Sequence, residues 1–78
     1  MDTHHALVAM LEASGLSSYR VSVGLGRHSS YVSTMLRRGS VPSADLLARM
    51  ADVCGYDLRL VPRNGAGDAL TIDGRPGG

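Results

Sequence analysis

The stretch GLGRHSSYVSTMLRRG, Gly24 to Gly39, carries three arginines, one histidine, five hydroxyl side chains and no acid. Arginine forks and short hydroxyls are groups that hold phosphate oxygens, and a hydroxyl can also donate to or accept from the edge of a base. That is binding chemistry. A bond-breaking site needs a nucleophile, a partnered base and a pocket, and no carboxylate stands near His28 in the sequence to orient its ring. The sequence therefore predicts a protein that is not an enzyme. The charge is also concentrated: between Ala13 and Ala44 lie Arg20, Arg27, Arg37 and Arg38 with no Asp or Glu, a local +4 in a chain whose net charge is +1.

Other reactive side chains carry less. His4 and His5 are neighbours, which on a helix point about 100° apart and do not share one ion, so neither a metal nor any other cofactor is expected. Cys54 is the single cysteine and sits in an apolar stretch, where it suits a small buried hydrophobe in a reducing compartment. The start of the chain lacks a signal pattern. No apolar run approaches the length, roughly 20 residues, that spans a bilayer. A cytoplasmic protein with no membrane partner is the expectation.

The elements that must position the arginine and hydroxyl groups follow from periodicity. Seventy-eight residues make one domain with a small core, and with no Phe or Trp that core must come from Leu, Val, Met and Ala, which favours packed helices. Asp2 or Thr3 caps a first helix, His4 to about Ser14, whose Leu7, Met10 and Leu11 recur at helical spacing up to Gly15. Ser17 caps a second helix of about two turns, with Val21 and Leu25 on one face and Gly26 as its break. In the third helix Met35 and Leu36 fall within about 60° of Val32, and the three form a core stripe. Ser29, Ser33, Arg37, Ser30, Thr34 and Arg38 fill a polar arc of about 180°. Gly39 ends that helix. Ser43 caps a fourth, whose Leu47, Met50, Ala51 and Cys54 make the apolar stripe, supported by Leu46 and Val53, and which Gly55 closes. The period then changes from helical to alternating. YDLRLVPR and ALTID read as two strands around NGAGD, with Leu58 and Leu60 opposite Leu70 and Ile72. Pro62 confines the first strand to a sheet edge over its last part. The final GRPGG has nothing to fold with.

Two short helices separated by a break of three to four residues, the second amphipathic with a polar outer face, make the layout of a helix-turn-helix. From Leu7 to Leu60 the chain resembles the Cro/phage-repressor class of helix-turn-helix proteins, the XRE family. Ser22, Gly26, Val32 and Met35 match the family's small residue, turn glycine and recognition-helix apolar pair, with Val21 and Leu25 as further core contacts. GSVPSADLLARMADVCGYDL resembles the family's closing helix. Three positions depart: Ser18 stands where the family often has Gln, Gly24 where a helix former is usual, and His28 where a capping serine is usual, so that Ser29 or Ser30 is expected to cap instead.

The resemblance implies a mostly α fold with a four-helix, lambda-repressor-like helix-turn-helix domain over residues 1–57; the alternation adds a C-terminal β-hairpin over 58–73, and the closing residues a disordered tail over 74–78. It implies contacts to bases of double-stranded operator DNA from Ser29, Ser30, Ser33 and Thr34, and contacts to phosphates from Ser18, Tyr19, Arg27, Tyr31, Arg37 and Arg38. The activity implied is transcriptional regulation, most simply repression, by a homodimer on a pseudo-palindromic operator. Two roles are open for the hairpin. Leu58, Leu60, Leu70 and Ile72 either pair across a two-fold axis or cover the protein's own helical core. The alternative function is that of an antitoxin of the same fold, which binds a toxin protein as well as its own promoter.

Overall fold

Helix α1 (Thr3–Ser14) begins where the Asp2 carboxylate accepts the His5 backbone N–H at 2.9 Å. This fills one of the donors that a helix start leaves unpaired. That hydrogen bond, joined by the His5 ring at 2.6 Å, holds the Asp2 carboxyl below its ordinary value. The computed structural model describes residues 1–74 of the chain. Two further helices start in the same way. Ser17 caps α2 (Ser18–Gly24) by accepting from the Arg20 N–H at 3.1 Å, and Ser43 caps α4 (Ala44–Cys54) by accepting from Leu46 at 3.2 Å. Between them lies α3 (Tyr31–Arg38). Gly15, Gly39 and Gly55 end α1, α3 and α4.

The four helices close over one core: Leu7 and Met10 from α1, Val21 from α2, Leu25 just after it, Val32 and Met35 from α3, and Met50, Ala51 and Cys54 from α4. Leu7, Val21, Val32 and Met50 are fully buried. Burial of each such side chain stabilises the fold by about 1.5–3 kcal/mol relative to exposure. The expected stripes differ in two places. Leu36 packs only partly against the core, and on α4 it is Ala48 that is buried while Leu46 and Leu47 are half-buried. Cys54 is a free, buried thiol.

Gly24 has a packing reason. A Cβ built there would stand 3.0 Å from Cγ1 of Val53, so the Val53 side chain on α4 would have to give by a few tenths of an ångström. Close approach thus offsets a helix-propensity cost of up to about 1 kcal/mol. The Arg49 guanidinium on α4 adds a second tie, donating to the Leu25 carbonyl at 3.2 Å. That carbonyl is one of the groups left open at the end of α2.

After α4 the chain forms an antiparallel hairpin, β1 (Leu58–Leu60) and β2 (Leu70–Ile72), in the register Leu58↔Ile72, Arg59↔Thr71, Leu60↔Leu70. The four apolar residues pair as the alternation predicts, but each strand is only three residues long, shorter than YDLRLVPR and ALTID. Pro62 has no N–H for a ladder. Gly65 and Gly67 turn the chain at φ 73° and 90°. The hairpin rests on α4 by one end: Leu58 and Ile72 are half-buried, whereas Leu60 and Leu70 are 59% and 64% exposed. Gly74 lies against the backbone of Ala48 and Arg49, where a Cβ would collide. The rest of the expected tail, 75–78, lies outside the described residues. The architecture is mostly helical with a small two-stranded sheet. Among the described residues no helix is long and apolar enough to cross a membrane.

Candidate nucleic-acid interface

The break between α2 and α3 runs over six residues, Leu25 to Ser30, longer than the three to four expected. Two features lengthen it. The end of α2 tightens, with the Gly26 N–H reaching the Val23 carbonyl at 2.9 Å and the Arg27 N–H reaching Ser22 at 3.0 Å. Gly26 itself sits at φ 72°, a conformation glycine adopts without strain. The start of α3 is a turn rather than a regular helix: Tyr31 donates to the His28 carbonyl at 2.9 Å, and Ser30 sits at φ −97°, ψ 6°. Ser29 and Ser30 therefore precede the helix instead of forming its first turn.

The capping expectation for those serines is also corrected. Ser30 occupies the N-cap position without a side-chain capping bond. The His28 ring takes the role in part, its Nδ1 accepting the Ser30 backbone N–H at 3.3 Å and meeting the Ser30 hydroxyl at 2.9 Å.

A larger share of the task falls to Ser22. Its hydroxyl donates to the Ser18 carbonyl at 2.7 Å and accepts the Val32 backbone N–H at 2.9 Å. A side chain on α2 thereby satisfies an open donor in the first turn of α3. The residue is completely buried. In the sequence Ser22 stands out for its small size, not for its hydroxyl. Nothing in the sequence signals the hydroxyl's task, since Ser29 and Ser30 both offer capping oxygens for the third helix.

The polar groups of α3 and of the turn before it divide into two sets. Ser30, Tyr31, Thr34 and Arg38 line a shallow cleft of about 420 Å³, together with His28 before the helix and Ser40 after it. The Arg27 guanidinium stands over the Tyr31 ring, 5.2 Å from its centroid. That cation–π contact holds both side chains beside the cleft. Ser29, Ser33 and Arg37 do not line it. Ser29 is half-buried, and the half-buried Ser33 donates its hydroxyl to the Ser30 carbonyl at 3.0 Å, so that hydroxyl is already engaged. Ser18 and Tyr19, on the first turn of α2, also lie outside the cleft; Ser18 is half-buried and Tyr19 is 59% exposed.

Arg37 and Arg38 are exposed in the last turn of α3. Among the described residues none of Arg20, Arg27, Arg37 and Arg38 is in an ion pair; the pairs present there are His5 with Asp2 and Arg59 with Asp57. Unneutralised cations beside hydroxyl donors form a surface suited to anions. The His4 and His5 rings meet edge to face at 5.8 Å, and no cluster of three or more His, Cys, Asp or Glu side chains that could hold a metal occurs among the described residues. A second cleft, of about 390 Å³, is apolar and lies between α1, α4 and the start of β1, lined by Met1, Ala6, Met10, Leu47, Tyr56 and Leu58 among others.

Comparison of the chain with protein families, with curated proteins and with solved structures finds no match.

Proposed function

We propose that this protein is a DNA-binding transcriptional regulator of the Cro/phage-repressor type, most simply a cytoplasmic repressor, with α2 and α3 acting as its helix-turn-helix. The observation that carries the reading is the hydroxyl and arginine face of α3, its arginines exposed and without ion pairs among the described residues, tied to α2 through the buried Ser22 hydroxyl. On this reading Ser29, Ser30, Ser33 and Thr34 meet base edges, and Ser18, Tyr19, Arg27, Tyr31, Arg37 and Arg38 meet phosphates. Short hydroxyls discriminate bases less than bidentate Arg, Asn or Gln, so each half-site is read with modest specificity. The protein works by occupying DNA, with no chemical step.

Selection from a random duplex pool, followed by binding of the winner across a salt series, tests the reading. An enriched inverted repeat with half-sites one turn, ~34 Å, apart and an affinity that falls steeply with salt is the expected result. Weak binding without enrichment or salt dependence would sink it.

The homodimer belongs to the same proposal. Leu60 and Leu70 face each other across the hairpin yet stay largely exposed, which favours pairing with a second copy over covering the protein's own core. Leu60→Glu with Leu70→Glu is expected to yield a folded monomer by light scattering, with an unchanged helical circular dichroism signal. A variant that stays dimeric would place the interface elsewhere. The apolar cleft beside α1 supports a second reading, an antitoxin that holds a toxin there. A toxin encoded next to this chain, and inhibited by it, would favour that reading.

A further inference from the structure

His28 engages Ser30 through one ring nitrogen and leaves the other without a partner among the described residues. The Ser30 backbone N–H points at Nδ1 from 3.3 Å, and a backbone N–H only donates. Nδ1 therefore receives with its lone pair, and the neutral ring carries its proton on Nε2. The Ser30 hydroxyl, 2.9 Å from Nδ1, can donate to the same nitrogen. Nε2 has no hydrogen-bond partner among the described residues. The side chain is exposed and lines the cleft shared with Thr34 and Arg38. That cleft has no carboxylate in its lining, and the nearest residues in sequence add Arg27.

We propose that His28 is a further DNA contact, donating from Nε2–H as a neutral imidazole to a backbone phosphate oxygen in the cleft that also holds Arg38. The inference rests on the reading of α3 as the DNA-facing helix. It gives His28 two jobs on opposite sides of one ring: Nδ1 holds the turn before α3, and Nε2–H meets the ligand. A pure capping residue would have only the first.

Two substitutions separate the jobs. Asparagine reproduces an acceptor near the position of Nδ1, as in an Asx-turn, but ends short of Nε2. Glutamine carries its amide N–H nearly as far out as Nε2 and gives up the local acceptor. The thermal midpoint of each variant and its affinity for a selected operator and for an unrelated duplex are measured from about 50 to 200 mM salt. His28→Asn is expected to melt as the wild type does and to bind both duplexes about tenfold more weakly at every salt concentration, the scale of one hydrogen bond to a charged oxygen. Its salt slope stays as in the wild type, because a neutral donor displaces no counterion. His28→Gln is expected to melt lower and bind more tightly than His28→Asn.

Equal binding by His28→Asn and wild type, or the reverse ranking of the two variants, would overturn the contact. A loss confined to the selected sequence would overturn the phosphate assignment in favour of a base. A shallower slope would overturn the neutral form. Failure of the wild type to bind any duplex would instead remove the reading of α3 on which the inference stands.

Discussion

Ser22→Ala is expected to destabilise the protein by about 1–3 kcal/mol, a large effect for the loss of one hydroxyl. The hydroxyl it removes is the partner of the Val32 N–H, and both residues are completely buried, so water does not replace the lost acceptor. The cost is thus the desolvation of an orphaned donor rather than the small net value of an ordinary hydrogen bond. In a domain of this size each kcal/mol lowers the thermal midpoint by roughly 4–8 °C. Ser33→Ala is the matched control. It removes a hydroxyl that only donates to the carbonyl of a neighbouring residue at a half-buried position. Its expected cost is within about 0.5 kcal/mol. Thermal denaturation of the two variants side by side decides the matter; equal midpoints would mean that Ser22 matters only for its size.

The contrast between those serines marks what periodicity reaches. Stripes such as Val32 with Met35, or Met50, Ala51 and Cys54, are written in residue types, because burial acts on side chains with the period of the helix. Caps at Asp2, Ser17 and Ser43 are equally visible, since an oxygen-bearing residue stands just before an apolar repeat. A backbone N–H has no letter. The need of Val32 for an acceptor, and the choice of Ser22 from another helix to meet it, arise only once α2 and α3 are packed.

The same limit explains the turn. Ser29 and Ser30 fit a helical arc by spacing, yet the His28 ring draws the Ser30 N–H into a local bond, and regular helix begins only at Tyr31. Side chain to backbone competition of this kind shifts a boundary without changing the pattern. In the hairpin, alternation identifies the right partners, but the ladder ends at Leu60, two residues before Pro62, which has no donor to extend it. For the site, the grouping of Tyr31, Thr34 and Arg38 on one side of α3 follows from i, i+3 and i, i+4 spacing. The stacking of Arg27 on Tyr31 and the engaged hydroxyl of Ser33 emerge only in the folded chain.

The double substitution of Arg37→Ala with Arg38→Ala is expected to produce the largest functional effect. Each cation that meets a phosphate releases counterions, so two lost contacts reduce the slope of log affinity against log salt by about 1.8, roughly 0.9 for each. Between about 50 and 200 mM salt the wild type then loses about twelvefold more affinity than the variant does. The loss at low salt is the same for operator and unrelated duplex, because phosphates carry no sequence information. The fold persists, since both side chains are exposed and the helix stays seated by Val32, Met35 and the Ser22 hydroxyl. Arginines at the end of a helix also favour its negative pole, and that role predicts a different outcome: a lower thermal midpoint with duplex affinity and salt slope as in the wild type. Thr34→Ala supplies the orthogonal case, for a group that meets a base edge changes which sequences are bound while leaving the salt slope alone. If the arginine pair alters sequence choice and Thr34 alters the slope, the face has been assigned the wrong way round, and α3 lies across the backbone instead of in the groove.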